Sequence, residues 1–219
     1  TEIDPNYARA FAWKTCSLAN NSEWFADDMP DGWMEDAFSS INRAMEIDPD
    51  DPEAHRILGA MKLLFEGDME KAIFHHKKAI EICPSDTFHL ARYSVLLSYL
   101  GKPEDAMEQI EKALRINPFG SDLMFETKGV CAYLLEDYEA AISTFKNMQI
   151  ETRVSLFYSA ACYGLLGKTE LAKDRLVLAK TESGMEIDKF VTTQLYQSEE
   201  ISNKLTNDLT SIEKGLVLN

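Results

Sequence analysis

Gly101-Lys102-Pro103-Glu104-Asp105-Ala106-Met107-Glu108-Gln109-Ile110-Glu111-Lys112-Ala113-Leu114-Arg115-Ile116-Asn117-Pro118 decides the fold. Ala106, Ile110 and Ala113 are spaced by four and then three residues, which puts all three on one face of a helix. The two alanines let an antiparallel neighbour approach closely, and the isoleucine fills the gap beside it. Gly101-Lys102-Pro103 reads as a turn into this helix. Pro118 ends it, because proline has no N–H to donate and disfavours helix in the residue before it.

The same phrase recurs in both directions along the chain. Alanines stand at Ala37, Ala72, Ala106, Ala141 and Ala172, spaced by 35, 34, 35 and 31 residues. Four residues after each comes Ile41, His76, Ile110, Phe145 or Leu176, and three further on Ala44, Ala79, Ala113, Met148 or Ala179. Pro49, Pro84 and Pro118 close the first three. A partner helix precedes each phrase. The spacing predicts one from about Pro52 to Phe65, with Leu58-Gly59 at the close contact and Gly67 in the turn. Another is predicted from about Thr87 to Leu100. Gly129 marks the contact in the fourth hairpin, with Asp137-Tyr138-Glu139 as its turn. Ala160, Tyr163 and Gly167 do the same in the fifth.

A period of about 34 residues built from paired helices resembles the tetratricopeptide repeat family, and the resemblance runs from about Ala8 to Lys180. It implies an all-α fold, a right-handed α-solenoid of about five helical hairpins in residues 1–181. Residues 182–219 read as further helices at Ile187–Leu195 and Glu199–Leu216. The second has Ile201, Leu205, Leu209, Ile212 and Leu216 at helical spacing. The last hairpin of a solenoid exposes an apolar face that must be covered, so a capping helix is expected, with a dimerisation helix as the alternative.

The first hairpin departs from the pattern. Pro5 to Pro49 spans 44 residues, about ten too many for one repeat. The surplus falls near Asn20–Pro30. Trp24 and Phe25, with Trp13 and Trp33 nearby, are expected to fold back over the end of the stack, or else to form a binding loop. The fourth repeat has Arg153 where a proline should stand. Thr1-Glu2-Ile3-Asp4-Pro5 echoes Glu46-Ile47-Asp48-Pro49, so the sequence is expected to open in the last turn of a helix of something larger.

Composition narrows the function. The net charge of −15 argues against nucleic acid, whose phosphates call for clustered Lys and Arg. Glu23 to Asp51 holds ten acids against Arg43 alone, a solvated face or a seat for a basic partner. Cys16, Cys83, Cys131 and Cys162 lie far apart without a Cys-x-x-Cys pair, so buried reduced thiols in a cytoplasmic protein are expected. No apolar run reaches the length of a membrane span. Of the histidines His55, His75, His76 and His89, His76 fills the large-residue slot, and adjacent His75 and His76 point to different sides. Neither a metal site nor a cofactor is expected. Phosphate loops and nucleophile motifs are missing too, and the chain does not read as an enzyme.

The resemblance places binding on the first helix of each hairpin, which lines the concave surface. Projected onto this sequence, the candidate groove residues are Arg9, Arg56, Phe88, Ala91, Val95, Tyr99, Glu126, Val130, Tyr133 and Phe157. They predict a protein or peptide partner with apolar anchors, or a second copy of the chain, or packing of these residues against their own neighbours and the C-terminal helix. The Lys and Asn pair with which some members hold chaperone tails is absent. Its slots carry Ala12 with Cys16, Arg56 with Ala60, and Ala91 with Val95. Asp4-Pro5-Asn6-Tyr7-Ala8-Arg9-Ala10-Phe11-Ala12, Ala44–His55 and Gly101–Ala106 are similar, more narrowly, to the C-terminal repeat regions of bacterial signalling proteins. These include nucleotide cyclases and some winged-helix transcription regulators. That resemblance implies a regulatory role beside an N-terminal catalytic domain.

Overall fold

The computed structural model describes residues 3–24 and 29–215, with backbone alone at 21–24. All regular structure among them is helical. In chain order the helices are α1 (Ala8–Trp24), α2 (Trp33–Ile47), α3 (Pro52–Glu66), α4 (Met69–Ile82), α5 (Thr87–Tyr99) and α6 (Pro103–Ile116). They continue with α7 (Asp122–Leu134), α8 (Tyr138–Phe145), α9 (Arg153–Leu165), α10 (Thr169–Ser183), α11 (Ile187–Thr193) and α12 (Glu199–Glu213). The chain divides at Arg92/Tyr93, within α5, into an N-terminal unit and a C-terminal unit.

The hairpins are punctuated by local chemistry. Asp51, Asp68 and Asp137 cap α3, α4 and α8, each accepting a hydrogen bond from the backbone N–H three residues on, at 2.8, 3.0 and 3.0 Å. This satisfies donors that the first helical turn leaves open. Pro52 and Pro103 stand at the first helical position, where no N–H is needed. Between the two helices of a hairpin, Gly67, Gly101 and Gly167 adopt left-handed φ of 65°, 69° and 69°. In the fourth hairpin Glu136 takes the same conformation at φ 64°, against the steric preference of a side chain.

The repeated positions form the core. Ala37, Ala72, Ala106, Ala141 and Ala172 are all fully buried, as are Ala44, Ala79, Ala113 and Ala179. Gly59 and Gly129 are close-contact positions for a physical reason. A Cβ on Gly59 would stand 3.0 Å from His76 Cδ2, and one on Gly129 only 2.3 Å from Phe145 Cε1. Where the fourth repeat lacks its proline, α8 has just eight residues. The chain then turns on Asp122, whose carboxylate accepts from the N–H groups of Gln149 and Ile150 at 2.7 and 3.0 Å.

The enlarged first hairpin absorbs part of its surplus by running α1 on to Trp24. Trp33 packs edge-on against Phe65, 5.7 Å between ring centroids. Trp13 is about half exposed. The Trp24 and Phe25 side chains, and Leu216, lie outside the described residues. The thiols, all expected to be buried, fall into two groups. All four are free, but only Cys131 and Cys162 are buried, whereas Cys16 and Cys83 are half-buried. Burial pushes the Cys131 and Cys162 thiols up to about 12.

Candidate partner-binding face

In the N-terminal unit the first-helix face is organised by arginine. Arg9, in the first turn of α1, donates from Nε and Nη2 to Asp51 Oδ2 at 3.1 and 2.9 Å while its side chain stays 48% exposed. That bond raises the Arg9 guanidinium pKa further. Arg56 is instead buried. Its Nε and Nη2 grip both oxygens of Glu53 at 2.9 and 2.7 Å, and its guanidinium lies 4.9 Å from the centre of the Phe88 ring. Glu53 also pairs with His89 Nε2 at 2.9 Å, tying α3 to the start of α5. Phe88 keeps 39% of its surface open, and Ala91 is fully buried.

Burial alone would raise the Glu53 carboxyl, but the hydrogen bonds from Arg56 and His89 outweigh it and hold it at about 2. His55 and His75, which adjacency in sequence did not pair, meet across the α3–α4 hairpin with Nδ1 atoms 2.9 Å apart. His55 Nε2–H donates to the Pro49 carbonyl at 2.9 Å, so His55 Nδ1 accepts from His75. Desolvation lowers His55, and it brings His75 to about 4 and buried His76 to about 3. All these groups make acid destabilising. As pH falls below their ordinary value of 6.5, the unfolded chain gains protons that the folded histidines refuse. Glu53 adds its loss between about 4.5 and about 2. The melting temperature is therefore expected to fall steadily from pH 7 to pH 3, and His75→Gln to flatten the limb between 6.5 and 4. A wild-type melting temperature constant over that range would contradict the assignment.

In the C-terminal unit the corresponding face is occupied by the chain itself. Val95, Tyr99 and Glu126 are half-buried, while Val130, Tyr133 and Phe157 are buried. The Tyr133 hydroxyl donates to Asp208 Oδ2 at 2.6 Å. Lys204 lies 3.0 Å from the same oxygen and 4.8 Å from the centre of the Tyr133 ring. Phe157 stacks on Phe190 at 4.0 Å, and Tyr158 shares a 2.5 Å hydroxyl contact with Tyr196. Tyr196 meets Tyr99 edge-on at 5.6 Å, and the next backbone N–H, of Gln197, donates to the Tyr99 carbonyl at 2.9 Å. Burial, with Asp208 beside it, keeps the Tyr133 phenol protonated far above its usual range. Glu126 accepts the Thr152 hydroxyl at the start of α9.

The predicted residues thus separate. Arg9 and Phe88 reach the surface, and Val95, Tyr99 and Glu126 do so in part. Arg56, Ala91, Val130, Tyr133 and Phe157 build the face from beneath. Tyr158, Phe190, Tyr196, Lys204 and Asp208 were not singled out by sequence reasoning. The one signal for them was polar Lys204 and Asp208 beside the apolar stripe of α12. Among the described residues no group of three or more His, Cys, Asp or Glu is arranged to hold a metal ion, and no helix is long and apolar enough to cross a membrane.

Residues 90–119, which include the phrase around Ala106, match the model of the tetratricopeptide repeat. A bovine (Bos taurus) SGT1 homolog is 33% identical over 86 residues, 39% of this chain, and the match spans only a quarter of that protein's length. Pseudomonas aeruginosa pilF superposes with a TM-score of 0.66 at 15% identity, over 95% of this chain and 90% of that one. YrrB, a TPR protein with an unusual peptide-binding site, gives 0.53 at 17% identity, over 82% and 88%. The fold is that of the tetratricopeptide repeat proteins.

Proposed function

We propose that this chain is a cytoplasmic binding scaffold, not an enzyme, that takes a protein or peptide on the first-helix face of its hairpins without a cofactor. The observation that carries this is Phe88. A phenylalanine held open over a buried, doubly hydrogen-bonded guanidinium is a rigid apolar anchor, and such anchors dominate binding energy at interfaces. Arg9 gives the same face a charged edge. The peptide-binding site of YrrB, on the same fold, supports the reading. The narrower resemblance to cyclase-linked and transcription-regulator regions draws no support from the proteins named above, so the function is set at the level of partner binding.

Phe88→Ala is expected to weaken capture of copurifying partners by about tenfold or more, the scale of an aromatic hot spot, with a modest fall in melting temperature from the lost contact with the Arg56 guanidinium. A differently tagged copy of the chain in the same assay separates self-association from capture of another protein. Undiminished capture by Phe88→Ala together with Arg9→Ala would rule out this face.

A further inference from the structure

The C-terminal unit carries a second, less visible feature of the same system. Its hairpins have packing contacts of their own, and α11 and α12 add Phe190, Leu205 and Leu209 to the same core. Phe145 fills the space over Gly129 between α7 and α8, and Ala160, Ala172 and Ala179 are fully buried in the α9–α10 pair. Helices α11 and α12 are joined to them after Gly184, which caps α10 with a left-handed φ of 62° and releases the chain. Beyond it the chain brings three groups of different chemistry to the first-helix face. These are a ring stacked on Phe157, a phenol against Tyr158 and Tyr99, and a carboxylate for the Tyr133 hydroxyl.

We infer that α11–α12 is a self-supplied ligand of this face, a strap that keeps it closed until a partner segment of the same chemistry takes its place. The inference rests on the partner-binding reading given above and names how that binding is regulated in the C-terminal unit. The contacts define the partner as a peptide presenting an aromatic ring on one helix, a phenol in the link after it and a carboxylate on a second helix. Asp208 is the sensitive point. It is 7% exposed and satisfied by Tyr133 and Lys204 together, and a buried network that loses one member leaves the others unpaired.

Hydrogen exchange on the full chain tests this. The amides of 187–213 are expected to exchange faster than those of α7 to α10. Asp208→Asn keeps an acceptor for the Tyr133 hydroxyl but removes the charge it shares with Lys204, and should speed the strap amides by about tenfold, the difference between a charged and a neutral hydrogen bond, leaving the hairpin amides unchanged. Tyr133→Phe removes the hydroxyl's bond to Asp208 itself and serves if the first variant folds poorly. A synthetic peptide of residues 186–213 should then bind the Asp208→Asn chain more tightly than the wild type, whose tethered strap competes at high effective concentration. The same peptide carrying Asp208→Asn should bind more weakly. One common exchange rate for strap and hairpins in all variants would overturn the inference, as would equal peptide binding to variant and wild type. Either result leaves the Phe88 experiment standing, so loss of the strap and loss of the scaffold reading are told apart.

Discussion

Phe157→Ala should lower the stability of the chain by about 3–5 kcal/mol, among the largest effects a single truncation produces. The Phe157 ring is fully buried and lies nearly parallel to Phe190, with 13° between the ring planes. Truncation removes its transfer energy and its stacking, and leaves a cavity. Tyr133, Tyr158 and Ala161 of the same core are themselves buried and packed, so little is free to collapse into the space. In calorimetry the transition involving the C-terminal unit is expected to move down by on the order of 10 °C or more, given the usual entropy of unfolding for a domain of this size. Phe157→Leu, which keeps most of the volume, should cost clearly less. Equal melting temperatures for Ala and wild type would mean that the ring is not part of the core.

Gly129→Ala is the second. Alanine is the better helix former by about 1 kcal/mol, so in an open helix this substitution would stabilise. Here the added methyl would meet Phe145 Cε1, Cδ1 and Cζ at 2.3, 2.6 and 2.6 Å. Phe145 is 4% exposed at the end of the shortened α8 and has little room to retreat. Forcing it aside is expected to outweigh the propensity gain and cost about 1–3 kcal/mol net. The compensating pair Gly129→Ala with Phe145→Leu should recover part of the loss in chemical denaturation. If the double variant is no better than the sum of its parts, the clash is not the cause.

Gly129 was legible as a packing site, whereas Phe157 read as a groove residue, and the difference shows what a sequence can carry. Ala37, Ala72, Ala106, Ala141 and Ala172 repeat because each must sit where two helices approach. Periodicity encodes that local geometry directly. Gly129 and Phe145 belong to the same grammar. The contents of the binding face do not, because they depend on where distant segments land. Tyr133 projects from α7 as a partner-facing residue would, and only the path of α12 decides that Asp208 meets it. Arg56 falls in an outward slot, and only the joint presence of Glu53, His89 and Phe88 buries it. His55 and His75 lie 20 residues apart, and no spacing rule pairs them. Helical repeats write their scaffold in a regular code and their surfaces in an irregular one.

The triad of Arg56, Glu53 and His89 bears on how far such an array can be rebuilt from interchangeable parts. Arg56 and Glu53 sit in one hairpin and His89 opens the next, so the two share a private electrostatic joint. Duplicating the hairpin that begins at Pro52, or grafting another in its place, would bring a buried carboxylate and guanidinium against a neighbour lacking the matching imidazole. The alanine and glycine contacts would transfer with the graft, whereas this joint would not. Any attempt to lengthen the protein by copying units therefore has to copy that boundary whole, or replace all three side chains with apolar ones at once.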